Sequence, residues 1–163
     1  LYEYVSPWDD NPQKDGGQTG FWPKSAYAPD ITKEYRMKVL ALAQDRLKMF
    51  EDLRGFGYFF TEPEINMKLI DSNKQLKKLS DSERRELLET ARHELAKLTG
   101  WTPESIQNCL NKLLEITGQK PGILFSLIRI AVTWAPFSPQ LDDTLALIGQ
   151  EKTLQRLDTY LNY

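Results

Sequence analysis

A chain of 163 residues, 40% hydrophobic and 27% charged, has the size and balance of one globular domain or two small lobes. Its net charge of −2 argues against indiscriminate binding to nucleic acid or anionic membrane, while leaving room for a local basic patch. One cysteine, Cys109, and one histidine, His93, exclude an internal disulfide and the usual zinc sites, and the cysteine count fits a reducing compartment.

Residues 1–30 hold no sustained period and are rich in Pro and Gly, which predicts an irregular lead-in. Their aromatics, Tyr2, Tyr4, Trp8, Phe21, Trp22 and Tyr27, predict that the segment packs against something. The chain starts at Leu1 without a Met or a leader pattern and reads as a piece of something longer. From residue 31 the text turns helical. Asp30 or Thr32 is the expected N-cap of a first helix, which the apolar spacing carries through residue 50. The mixed-charge run around 72–82, with Lys74, Lys77 and Lys78, interrupts the pattern and predicts a boundary between lobes 31–79 and 80–163.

The second lobe opens on a capping box, Ser80 and Glu83, and its first helix closes toward Gly100, with Leu87, Ala91, Leu95 and Leu98 on one face. The next helix has Thr102 as N-cap, Pro103 at its first position and Gly118 as its stop, with Ile106, Leu110, Leu113 and Leu114 facing the core. "KPGILFSLIRIAVTW" predicts a central helix, apolar on most sides. Ser138 and Pro139 open a short helix, Gly149 ends it, and "EKTLQRLDTYL" makes the last one. No alternating strand of useful length and no glycine-rich phosphate loop occur, so the expected fold is all-α, two small helical lobes. No apolar run reaches the roughly 20 residues a membrane-spanning helix needs.

Two arginines sit on apolar faces. Projected at about 100° per residue, Gly122, Ser126, Arg129 and Thr133 form a narrow polar seam in which Arg129 is the only long side chain. The same projection over 35–50 puts Arg46 inside the arc of Tyr35, Val39, Leu42, Ala43 and Phe50. Each arginine has two readings: a tie between elements through a buried ion pair or helix-end carbonyls, or a guanidinium presented to a phosphate or a nucleobase. Arg129, on a helix apolar nearly all round, favours the structural reading; Arg46, with Lys48 close behind, favours the ligand reading. His93 on a charged face reads as surface, and Cys109 as a small core residue. Asp142 and Asp143 fit a helix first turn, where the dipole favours carboxylates. No nucleophile, base and oxyanion site assemble, and no catalytic or metal-ligating residue is assigned.

The last forty-five or so residues resemble the end of the bacterial and organellar glutamyl-tRNA synthetases. There a Gly-x-Lys-x-Gly turn leads into a Leu-Arg-x-Ala-Leu-Thr helix, a Gly-Pro turn and a Leu-Gly-Lys-Glu ending that closes on Arg-Leu. Gly118, Lys120 and Gly122 match the turn; Ile128, Arg129, Ala131, Val132 and Thr133 match the helix; Ile148, Gly149, Arg156 and Leu157 match the ending. Upstream, "LAQDRLKMFEDLRGFGYFF" is similar to the family's basic segment and places Arg46 and Lys48 on its basic positions. The chain departs from the pattern at Trp134, where the family has Gly, at Ser138-Pro139 and at Gln150.

The resemblance implies an all-helical anticodon-binding region of a class I enzyme that joins glutamate to its tRNA with ATP and magnesium. The catalytic signatures His-Ile-Gly-His and Lys-Met-Ser-Lys-Ser are absent, so the chain itself is expected to hold no cofactor and to be inactive alone. Its partners would be the anticodon arm of glutamate tRNA and its own catalytic domain, with no membrane, in a monomer of the bacterial cytoplasm or an organelle. Arg46, Lys48, Lys120, Arg129 and Trp134 are the tRNA-binding candidates, Trp134 as a core residue or a stacking surface for a base. The alternative is a helical protein-interaction domain without RNA binding, and a stand-alone enzyme is disfavoured by the single His.

Overall fold

A computed structural model describes residues 22–163, apart from the side chains of Lys24, Phe50 and Glu51. The lead-in up to residue 21, with four of the six aromatics of the first thirty residues, lies outside the described residues, as does the Phe50 side chain. The chain divides into two compact units, one ending at Pro63 and the other Glu64–Tyr163. Among the described residues the regular elements are helices, with no strand.

The first unit contains a 3-10 turn, Lys24–Tyr27, then helix α1, Lys33–Ala43. Thr32 is the N-cap, its side chain accepting from the Tyr35 amide. A second 3-10 turn, Gln44–Arg46, and a longer 3-10 stretch, Phe50–Phe59, follow. The core is built on Val39, Leu40, Ala43, Leu53 and Phe56, with Trp22 buried edge-on against Phe60. Arg36 ties this unit together: its guanidinium donates to the carbonyls of Ala26 (3.1 Å) and Ile31 (3.3 Å) and lies over the Tyr27 ring.

The second unit contains α2 (Lys68–Asp71), a 3-10 turn (Leu76–Lys78), α3 (Asp81–Ala96), α4 (Pro103–Thr117), α5 (Pro121–Thr133), α6 (Leu141–Ile148) and α7 (Gln150–Leu161). The caps follow local chemistry. Ser80 and Glu83 close a reciprocal capping box, and Thr102 caps α4 with Pro103 at its first position. Gly118 ends α4 in the left-handed region, φ 64°. α3 stops at Ala96, before the Gly100 expected to close it. Helix α5 is central: it packs against α2, the Leu76–Lys78 turn, α3, α4 and α7.

The division between units falls nearer the N-terminus than the 72–82 run that the charge pattern suggests. Ile70 and Leu76 are both fully buried, and their two elements pack on α5, so residues 64–79 join the second unit despite their polar composition.

Helices α3 and α4 are joined by a buried carboxylate. Glu94 accepts from Lys112 Nζ (2.8 Å) and from Lys97, and these two ammonium groups hold its carboxyl down to about 2 from the usual 4.5. The folded value lies below the unfolded one, so this pairing stabilises fully above about pH 4.5 and is lost as pH falls through about 2. In a denaturant series from pH 7 to 2, the wild type is expected to lose more stability across that window than Glu94→Gln. Parallel profiles would show that the pairing contributes nothing.

Candidate nucleic-acid interface

Helix α5 positions three of the residues singled out from the sequence, and its two ends differ in kind. Lys120 precedes the helix and is exposed, with Pro121 at the first helical position. At about 1.5 Å per residue, the nine steps from Lys120 to Arg129 put their backbones some 14 Å apart along the axis. One contact point cannot use both backbones; an extended ligand can.

At the other end the helix is stopped by Trp134, whose φ of 45° and ψ of 36° are left-handed. A side chain there costs about 1–2 kcal/mol relative to Gly. The Trp134 amide donates to Ile130 O at 2.8 Å, which closes the last turn. The Thr133 hydroxyl donates to Arg129 O (2.8 Å) and accepts from the Ala135 amide (3.3 Å). The indole is 8% exposed and lies parallel to the Tyr160 ring on α7, centroids 5.7 Å apart and planes 10° from each other. Of the two readings of Trp134, core residue and stacking surface for a base, the burial and the parallel Tyr160 ring agree with the first.

Arg129 is half-buried. Its Nε donates to the buried Ser138 Oγ at 2.8 Å, and that hydroxyl donates onward to Pro139 O at 2.9 Å. The guanidinium thus fastens α5 to the turn 134–140 and is itself held in one direction. Phe137, on the same turn, is 47% exposed. The rest of the polar seam is graded, with Gly122 exposed, Ser126 half-buried and Thr133 buried.

Arg156, singled out from the sequence only as part of the family-like ending, is the arginine whose burial the sequence did not disclose. It is 3% exposed and donates from Nη1 to Val132 O at 3.0 Å, one of the last carbonyls of α5. A wheel drawn over α7 would have found it, because Thr153, Leu157 and Tyr160 are all buried and Arg156 lies among them.

Arg46 is placed differently from its projection. Helix α1 ends at Ala43, and after the 3-10 turn Leu47 is extended, with ψ of 130°, so a continuous wheel through residue 50 does not apply. Arg46 is exposed, and among the described residues it has no ion-pair partner. An anchored arginine of this unit is Arg36. The Lys48 side chain is exposed; its amide and that of Met49 donate to Asp52 Oδ2 (2.9 and 3.0 Å), and these backbone donors lower the Asp52 pKa. His93 is exposed and Cys109 buried, where desolvation raises the thiol pKa. Among the described residues no group of three His, Cys, Asp or Glu is arranged to hold a metal ion, and no helix is long and apolar enough to cross a membrane.

Comparison with known proteins adds the family. The family model described as an anticodon binding domain matches residues 1–161. A glutamate–tRNA ligase of Chloroflexus aurantiacus is 31% identical over 131 residues, 80% of this chain and 26% of that protein. Glutamate–tRNA ligase 1 of Alkalilimnicola ehrlichii is 32% identical over 125 residues, 77% of this chain and again 26% of the relative. The chain thus spans about a quarter of the length of these relatives. The crystal structure of a glutamate tRNA ligase from Elizabethkingia meningosepticum, in complex with its amino acid, superposes with a TM-score of 0.68 at 22% identity, covering 82% of this chain and 26% of that one. At that identity the match establishes the fold.

Proposed function

Because the chain belongs to the anticodon-binding domain family, we propose that it is the tRNA-holding portion of a glutamate–tRNA ligase, with glutamate activation carried out elsewhere in the parent protein. The observation that carries this reading is the family match across residues 1–161. The ATP and magnesium of the activation step belong, on this reading, to the remainder of the enzyme. On this reading the parent enzyme is a monomer of the bacterial cytoplasm or of an organelle.

The division of labour among the candidates follows their exposure. Arg46, Lys48 and Lys120 project into solvent and suit phosphate contacts, which position RNA without reading it. Arg129, held by Ser138 at the edge of the 134–140 turn, has lost rotamer freedom before RNA arrives, which suits a guanidinium that meets a base. Trp134 acts through the fold alone.

The test is binding of a glutamate tRNA anticodon arm to the chain at fixed salt, against an arm of equal length with a scrambled loop. The cognate arm is expected to bind more tightly. Arg46→Gln is expected to weaken both arms equally and leave thermal unfolding unchanged, because the side chain is exposed. Arg129→Gln is expected to cost about 1–3 kcal/mol of cognate binding if a base is read, together with roughly 1–2 kcal/mol of stability from the lost Ser138 bond. Equal affinity of the wild type for both arms would sink the proposal.

A further inference from the structure

The 73–78 segment and the start of α5 come together on one edge of the second unit. Asn73 Oδ1 accepts from the amides of Gln75 (3.0 Å) and Leu76 (3.1 Å), and Leu76 is fully buried, so the segment is pinned by its one apolar side chain. Lys74, Lys77 and Lys78 are all exposed. A Cβ placed on Gly122 would lie 3.1 Å from Gln75 Oε1, which puts the first turn of α5, and Lys120 just before it, directly beside this segment.

Ion pairing does not engage the lysines of that edge. None of Lys74, Lys77, Lys78 and Lys120 has an ion-pair partner among the described residues. Two of the acids that follow are engaged: Asp81 with Arg85 at 2.6 Å and with Arg84, and Glu83 with the Ser80 amide and hydroxyl. Asp71 is the only acid within 68–78, against four lysines. In a chain of net charge −2, four unpaired ammonium groups on one edge repel each other, and a polyanion lying across them relieves that repulsion. The segment 72–80 carries no aromatic residue on which a base could stack. Its chemistry is that of point charges for phosphate.

We propose that Lys74, Lys77, Lys78 and Lys120 form one phosphate-binding ridge that grips the sugar–phosphate backbone of the RNA without reading its sequence. This rests on the tRNA reading given above and adds to it a second contact region, on the opposite end of α5 from Arg129.

The experiment measures the slope of log Kd against log salt for the full chain with the glutamate tRNA arm. Lys77→Gln/Lys78→Gln is compared with a charge-matched control, Lys38→Gln/Lys152→Gln, which changes exposed lysines on α1 and α7. Each lost phosphate contact removes about 0.7–0.9 from the slope, so the ridge variant is expected to lose roughly 1.4–1.8 and the control to stay close to the wild type. The ridge variant is also expected to weaken cognate and scrambled arms by the same factor, with melting unchanged. Lys120→Gln alone is expected to reduce the slope by about one. An equal loss in the control would reduce the effect to net charge and overturn the ridge. An unchanged slope in the ridge variant, with wild-type binding intact, would overturn the ridge and leave the anticodon reading standing. Absence of any wild-type binding would overturn both.

Discussion

Trp134→Ala is expected to destabilise the second unit by about 3–4 kcal/mol, the usual range for removing a buried Trp. The indole fills the space over Tyr160, and a parallel ring pair contributes about 0.5–1.5 kcal/mol beyond its buried area. The backbone makes a second variant informative. At φ 45° a Cβ is strained, so Trp134→Gly releases about 1 kcal/mol that alanine retains. The expected order in urea unfolding is therefore Trp most stable, then Gly, then Ala. If Ala proved more stable than Gly, residue 134 would not be left-handed in solution. If Gly matched Trp, the stack with Tyr160 would contribute nothing.

Arg156→Ala is the second large effect, expected at about 3 kcal/mol. A hydrogen bond from a charged donor contributes about 1.5–3 kcal/mol, and the buried stem adds packing that alanine cannot replace. Arg156→Met restores most of the volume and still leaves the Val132 carbonyl without its donor, so it is expected to recover about 1 kcal/mol. For a unit of this size the alanine variant should melt on the order of 10–20 °C lower. RNA binding below the melting transition should be unchanged, since the guanidinium is closed off from solvent. A variant that melted normally but lost RNA binding would move Arg156 from the fold to the interface.

These two residues also mark how far the sequence could be read. Trp134 stands where the resembled family has Gly, and the left-handed turn persists without the glycine because an aromatic partner on another helix covers the indole. Only the partner's position reveals that. Arg129 reads as a structural tie on its helix wheel, and the structure gives it the Ser138 hydroxyl; the wheel could not name that partner. Arg46 reads as part of an apolar arc because the periodicity continues past Ala43, whereas the backbone leaves the helix there and the wheel loses its meaning. Lys74, Lys77 and Lys78 were visible as a basic cluster; that Lys120 stands beside them follows from the approach of Gly122 to Gln75.

Local chemistry sets the all-helical class, most helix starts and the left-handed stop at Gly118, because capping and propensity are settled within a turn or so of the residue concerned. The family resemblance was legible too, since it rests on residues spaced along the chain. Packing between distant elements is what puts Ile70 and Leu76 with α5, buries Trp134 against Tyr160 and makes Arg156 the buried arginine of the last helix. Each of those depends on which distant element covers a side chain, and burial by a distant element is a property of the packed whole that no local period encodes.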